Sequence, residues 1–260
     1  MPELPEVEAY RCLAEGAVGR PIVSVHAPDA WILKGGIGAE TVVSALTGRS
    51  FTAARRRGKL LLLDTSGGPV LGLRFGMTGR LVLDGRAGVD RLLYSSDRAR
   101  AGWDRFAVRF ADGGDLRLHD PRRLGGVSLD PDEGRLGVDV LEVTPGGLRA
   151  ALGRSTVALK ARLMDQARLA GVGNLLADEV LWRAGLDPRR PAGSLTPAEQ
   201  RRLHRHLVAT VADLVARGGS HAGDLMPARV RGGRCPRDSA PLLRATVGGR
   251  TTWWCPKHQH

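Results

Sequence analysis

The stretch that decides the fold is VALKARLMDQARLAGVGNLLADEVLWRAG, residues 157–185. Apolar residues recur at helical spacing over 157–169, GVGN follows at 171–174, and LLADEVLWRAG (175–185) resumes the helical period. The spacing predicts a helix, a tight glycine turn and a second helix. Such a turn exposes backbone N–H groups at the start of the second helix, where the helix dipole favours an anion, and Asn174 can add a side-chain contact. Helix pairs of this kind also serve as pure packing units, so the stretch fixes architecture before it fixes a ligand.

The text changes on either side of it. Residues 3–15, ELPEVEAYRCLAE, read as a first helix with Pro5 tolerated in its first turn, ended by Gly16 and Gly19. From 21 to 129 the short apolar runs LLLLD (60–64), PVLGLRF (69–75), RFAVRF (105–110) and LRLHD (116–120) alternate with Gly and Asp turns, the pattern of a β-sandwich or barrel. An acidic, turn-rich segment, 131–143, reads as a linker. Thr144 and Pro145 cap a helix, and Thr196, Pro197 and Glu199 open a long one running to about Arg217, stopped by Gly218 and Gly219. The expected chain is α+β and multidomain: a β-sandwich domain flanked by helices over 1–130, a helical domain over 144–227 and a small hairpin module over 228–260.

Charge narrows the partner. Lys and Arg number 39 against 27 Asp and Glu, a net +12 in 260 residues, which points first to nucleic acid and next to an acidic membrane surface. No run approaches the ~18 apolar residues of a membrane span and no signal-peptide pattern opens the chain, so a cytoplasmic, nucleoid-associated protein is expected. Three cysteines argue against a disulfide scaffold. Only Lys34, Lys59, Lys160 and Lys257 are lysines in a chain otherwise rich in arginine; compositional bias accounts for Lys34 and Lys257, and Lys59 and Lys160 stand as candidates for chemistry.

Four motifs carry possible chemistry. CPRD (235–238) and CPKH (255–258), sixteen residues apart, place Cys235, Asp238, Cys255 and His258 where two knuckles of a hairpin could surround one tetrahedral zinc ion, with His260 as a spare ligand. The alternative is a metal-free finger held by Trp253 and Trp254. RRRGKLLLLD (55–64) brings Lys59 either to a reactive centre or phosphate, or to a solvated strand end. DPRRLGG (120–126) sets Arg122 and Arg123 beside Leu124, which suits either a wedge into a gap in stacked DNA or a basic turn with a buried leucine. Finally, the opening MPELPEVE would, once Met1 is trimmed, leave Pro2 with a secondary amine among Glu3, Glu6 and Glu8.

In this order MPELPEVE, RRGK before a strand, FGMTG, DPRR, LMDQARLAGVGNLLADEVLWRAGLDP and a two-pair finger, the chain resembles the formamidopyrimidine-DNA glycosylase and endonuclease VIII family, nearer the formamidopyrimidine branch. The resemblance implies a β-sandwich joined to a helix–two-turn–helix domain and a zinc-finger hairpin, with double-stranded DNA in the cleft between them and the damaged nucleotide flipped out. It implies a bifunctional base-excision enzyme, a glycosylase with β,δ-lyase activity: Pro2 attacks C1′, Glu3 moves protons, Glu6 supports it, and Lys59 contacts phosphate and lesion. Lys160, Asn174 and Arg250 match phosphate-binding positions, Met77 and Arg122 fill the vacancy in the stack, and Arg123 adds to the DNA grip. Family members act as monomers.

The chain also departs from the family pattern. Leu124 replaces an aromatic wedge, and Arg74 stands where a His commonly precedes this text. The usual four cysteines become Cys235, Asp238, Cys255 and His258. Residues 218–235 are much shorter than the family stretch that carries the loop closing over an oxidised guanine. The expectation is weakened recognition of 8-oxoguanine, with opened-ring purines, oxidised pyrimidines or abasic sites as substrates. A paralogue specialised as an abasic-site lyase and a non-catalytic binder of damaged DNA are the competing readings.

Overall fold

A computed structural model of the chain describes residues 2–89, 92–93 and 100–260, so Met1, whose removal the sequence reading expects, lies outside the described residues. The chain divides into two compact units, one ending at Glu133 and one beginning at Gly134.

The first unit begins with helix α1 (Leu4–Ala14), followed by strand β1 (Ile22–His26) and helix α2 (Ala39–Leu46). The strands β2 (Phe51–Arg57), β3 (Leu60–Thr65), β4 (Leu71–Arg74), β5 (Arg80–Leu83) and β6 (Arg86–Ala87) come next. β7 (Asp104–Phe110), β8 (Asp115–His119) and β9 (Gly126–Leu129) complete it. They form a four-stranded sheet, β2-β3-β4-β9, and a five-stranded sheet, β1-β7-β8-β5-β6. One core joins both sheets: Leu61, Leu63, Leu73 and Val127 from the first meet Ile22, Leu81, Phe106, Val108 and Leu118 from the second, with Val7, Tyr10 and Leu46 from the helices. This is a β-sandwich flanked by helices. Leu60 to Leu63 are all buried, as a strand covered on both faces requires.

Register decides what the four-stranded sheet presents. Leu60 pairs with Arg74, and Arg74 pairs with Gly126. Three turns therefore leave the sheet at one edge: Gly58–Lys59 before β3, Phe75–Gly79 after β4, and Pro121–Gly125 before β9. Gly58 takes a left-handed φ of 57°, which allows the two-residue turn between paired Arg57 and Leu60.

The second unit contains β10 (Val138–Asp139), α3 (Pro145–Leu152), α4 (Leu159–Leu163), β11 (Leu169–Ala170), α5 (Asn174–Ala184), α6 (Pro197–Ala216) and a hairpin of β12 (Leu243–Val247) and β13 (Arg250–Trp254). Thr144 caps α3 and Thr196 caps α6 in a reciprocal box with Glu199. The segment read as a linker contributes β10, which pairs in parallel with β11 inside this unit.

The helix expected over 157–169 spans only α4. Two side chains end it. Asp165 accepts the Ala167 N–H, while Gln166 donates to the Met164 and Val172 carbonyls and accepts from Gly171 N–H. These local bonds offer the backbone an alternative to the helix, and the turn they build carries the chain to Gly173 and α5. Among the described residues no helix is long and apolar enough to cross a membrane.

Candidate active site, DNA grip and metal centre

The N-terminal constellation is built on α1. Glu3 is its N-cap and Pro2 directly precedes it, so the Pro2 nitrogen lies at the positive end of the helix dipole, which disfavours a protonated amine. Glu6 accepts the Glu3 N–H at 2.8 Å, one half of a capping box in which the Glu3 carboxylate faces the Glu6 N–H. Glu3 is fully buried and Glu6 nearly so. Once Met1 is removed, two carboxylates withdrawn from water would stand by a secondary amine, equipped to move protons.

The same helix is tied to two of the three turns. Arg56 of β2 donates to Glu8 at 2.8 Å and to the Gly58 carbonyl at 2.9 Å, fixing the Lys59 turn against α1. Burial would raise Glu8, but hydrogen bonds from Arg56 and Arg11 outweigh it and hold its carboxyl below the usual range. Tyr10 stacks on Phe75, ring centroids 4.4 Å apart, and donates to the Gly79 carbonyl at 3.2 Å. Burial and the Glu6 charge push the Tyr10 hydroxyl well above its ordinary value, so it stays a donor.

The third turn locks onto the second through Asp120, which is fully buried. Its carboxylate accepts from Thr78 Oγ1 at 2.5 Å, Arg122 N–H at 3.2 Å and Gly125 N–H at 2.7 Å. Gly76 has φ 55°, and a Cβ there would come within 2.3 Å of the Leu124 carbonyl oxygen, so only glycine permits this approach. As a result Met77 and Arg122 lie side by side, Sδ to Nη1 3.8 Å, with Leu124 45% exposed rather than buried. Asp120 was not singled out from the sequence, although an Asp–Pro pair opening a turn is the signal that marks it.

Two of the expected DNA-contacting groups are engaged elsewhere. Arg123 spends its fork on Asp29, at 2.7 and 2.6 Å, and holds the turn, with half of its side chain still exposed. Lys160 is fully buried: its Nζ lies 2.6 Å from Asp178 and 2.8 Å from Thr252 Oγ1, and Asp178 also pairs with Arg229 at 2.8 Å. This triad ties α4, α5 and the hairpin together. Lys160→Met is expected to lower stability by about 3 kcal/mol while leaving the salt dependence of DNA binding unchanged. Denaturant unfolding and salt titration check this, and a shallower salt slope would return Lys160 to the phosphate grip. Asn174 begins α5 half-exposed, its buried Oδ1 without a partner among the described residues, and Arg250 is exposed at the start of β13.

The C-terminal cluster is compact. Ligand atoms of Cys235, Asp238, Cys255 and His258 all lie within 4.8 Å of one another, so the four could hold a metal ion. Cys255 Sγ is 3.3 Å from Asp238 Oδ2, His258 Nδ1 is 2.9 Å from the same oxygen, and Cys235 Sγ is 3.7 Å from His258 Nδ1. The surroundings suit a cation. Trp182 Nε1–H points at Cys235 Sγ at 3.3 Å, and the Trp182 carbonyl lies 3.3 Å from His258 Nε2, where it can accept that N–H and leave Nδ1 for the metal. Gln259 accepts the Cys255 N–H and donates to the Leu186 carbonyl, anchoring the finger beyond α5. Nothing local in the sequence marks Trp182 as a neighbour of Cys235, 53 positions away.

Within 218–235 the chain is pinned at Asp224 and Leu225. Glu179 accepts the N–H groups of Asp224 and Leu225, Arg183 pairs with Glu179, Asp213 and Asp224, and Leu225 is buried against Trp182 and both finger cysteines.

Comparison with known proteins agrees with this geometry over the whole chain. Residues 1–127 match the formamidopyrimidine-DNA glycosylase N-terminal domain, and residues 136–224 match the H2TH domain of the same glycosylases. The chain belongs to the formamidopyrimidine-DNA glycosylase family. It is 34% identical to the formamidopyrimidine-DNA glycosylase of Carboxydothermus hydrogenoformans over the full length of both, and 34% identical to that of Salinispora arenicola over all of this chain and 96% of the other. Among solved structures, the Lactococcus lactis Fpg bound to abasic-site DNA superposes with a TM-score of 0.84 at 26% identity, each chain fully covered. A complex of the LlFpg protein with a THF-DNA and an inhibitor gives 0.85 at 27%, also over both full lengths.

Proposed function

We infer that the chain is a bifunctional DNA glycosylase and abasic-site lyase of base-excision repair, acting on double-stranded DNA with damaged bases or abasic sites. Family membership along the full chain carries this reading. The constellation on α1 supports the assignment of its chemistry to Pro2 and Glu3.

With Met1 removed, the neutral Pro2 amine attacks C1′ of the extruded nucleotide. The N–C1′ bond forms as the glycosidic bond breaks, and the departing base takes a proton. A free α-amine titrates near 8, and the helix dipole lowers it further, so a sizeable neutral fraction exists at cellular pH. The amine loses its own proton and the sugar ring opens to an iminium, a Schiff base that acidifies C2′–H. Loss of that proton expels the 3′ phosphate, and a second elimination expels the 5′ phosphate. Glu3 carries these protons, Glu6 holds the Glu3 backbone in place, and Lys59, at the turn beside α1, contacts the phosphate and the lesion. Met77 and Arg122 fill the vacated space in the duplex, and Asn174 and Arg250 position the phosphate backbone.

The cluster at Cys235, Asp238, Cys255 and His258 holds one structural zinc ion, which cross-links the two knuckles of the hairpin and takes no part in the chemistry. The shortened segment 218–235, pinned at Asp224 and Leu225, favours a substrate range centred on opened-ring purines, oxidised pyrimidines and abasic sites over 8-oxoguanine. The enzyme acts as a monomer on chromosomal DNA in the cytoplasm.

Borohydride trapping tests the reading. Incubation with an abasic-site duplex and borohydride should give a stable cross-linked species whose peptide map ends at Pro2. Failure to trap any complex would overturn the enzymatic reading in favour of a non-catalytic binder of damaged DNA, and a cross-link mapped to Lys59 would overturn the Pro2 assignment.

A further inference from the structure

Five tryptophans occur in the chain, and four are buried or half-buried; Trp31 is 66% exposed. An indole this open loses contact energy that a folded protein normally retains, and single exposed apolar residues are common enough to need a second observation. Here the surroundings supply it. Trp31 sits in a short turn, Ala30–Ile32, whose backbone is fixed from both sides. Its N–H donates to Asp29 at 3.1 Å, and Asp29 is the residue clamped by Arg123 of the wedge turn and approached by Arg105 at 3.6 Å. Beyond it, Ile32 and Leu33 are buried, and Lys34 N–H bonds the Val127 carbonyl at 2.8 Å. The segment 29–34 thus runs alongside 123–127, and Trp31 stands two residues from the carboxylate that holds the wedge turn.

The local charge is also suited to a polyanion. Lys34 Nζ lies 5.5 Å from the Trp31 ring centroid and donates to the Trp31 carbonyl, and Arg122 projects from the same turn as Arg123. An exposed flat ring beside a cation is how proteins hold unstacked nucleobases. The wedge position itself, Leu124, offers no ring.

We propose that Trp31 is a DNA-contacting residue of the wedge: its indole packs on a base unstacked at the lesion and supplies the flat surface that Leu124 lacks. The proposal rests on the reading of the chain as a DNA glycosylase. It assigns the wedge four contributors, Met77, Arg122, Leu124 and Trp31, the last carried by the segment that Asp29 ties to Arg123.

The test uses a duplex with a tetrahydrofuran abasic analogue, which has no C1′ leaving group and reports binding without chemistry. Trp31→Ala should weaken its binding about tenfold and Trp31→Phe no more than about threefold, because a phenyl ring still stacks. Leu124→Phe should recover most of the loss in the Trp31→Ala background and strengthen binding by a smaller factor in the wild type, a coupling expected only of residues that share a task. Titrating duplex should quench wild-type indole fluorescence more than that of Trp31→Phe. Trp31→Ala binding like wild type, or Leu124→Phe helping both backgrounds equally, overturns the proposal. If the wild type itself fails to prefer the tetrahydrofuran duplex over an intact one, the glycosylase reading fails instead.

Discussion

Glu3→Gln is expected to slow base excision by about three orders of magnitude, the middle of the range for loss of a positioned proton carrier. The amide keeps the shape of the carboxylate, and its oxygen can still face the Glu6 N–H, so α1 and its capping box survive. What is lost is a group that gives and takes a proton next to Pro2. Single-turnover excision from a duplex containing an opened-ring purine measures the effect, and binding to a tetrahydrofuran duplex, expected to hold within about threefold of wild type, controls for folding. An excision rate within tenfold of wild type would remove Glu3 from the mechanism. The same substitution at Glu6 should cost far less, because Glu6 acts on the Glu3 backbone at 2.8 Å and not on the substrate.

Removal of the proposed zinc is expected to have the second large effect. The hairpin of β12 and β13 has four exposed residues among the five of β12, so it owns little apolar core. Besides the Lys160–Thr252 bond, its apolar anchorage lies at Cys235, Cys255, Trp182 and Leu225, gathered at the ligand cluster. A structural zinc bound at neutral pH contributes on the order of 10 kcal/mol in comparable modules. Elemental analysis should find one zinc per chain. Cys255→Ser, or prolonged chelation, should release it, disorder the hairpin and weaken duplex binding by more than about tenfold, since Arg250 is carried on β13. Near-ultraviolet circular dichroism from Trp182, Trp253 and Trp254 should collapse. Fewer than ~0.2 zinc per chain with an intact tryptophan signal would mean a finger held by packing alone.

Much of this was legible because it is local. The 3.6-residue period marked α5 and α6, and Thr196 with Glu199 marked where α6 begins. Four consecutive leucines marked β3 as a strand with two covered faces. Paired knuckles at fixed spacing marked Cys235, Asp238, Cys255 and His258. The sequence misled where side chains override periodicity: Gln166 and Asp165 end α4 with bonds that no spacing rule weighs. It was silent where partners are remote. Lys160 reads as a spare cation until Asp178 and the hairpin close around it, and Arg123 reads as a DNA contact until Asp29, 94 residues earlier, claims it. The row Leu60, Arg74 and Gly126, which collects three turns at one edge, exists only once the strands have paired.

One buried carboxylate ties two turns at that edge to each other. Asp120 binds the turn that bears Met77 and the turn that bears Arg122 and Leu124, so the two cannot drift apart when DNA is absent. Their backbone entropy was surrendered during folding, and the arriving duplex has only side-chain rotamers left to freeze, each worth about 0.5–1.5 kcal/mol. On the proposed reading, insertion into the base stack would be the strike of a stiff probe. A nucleotide that is already loosely stacked yields to such a probe sooner than a sound one, and damage can be sampled by mechanical weakness before any atom of the base is read.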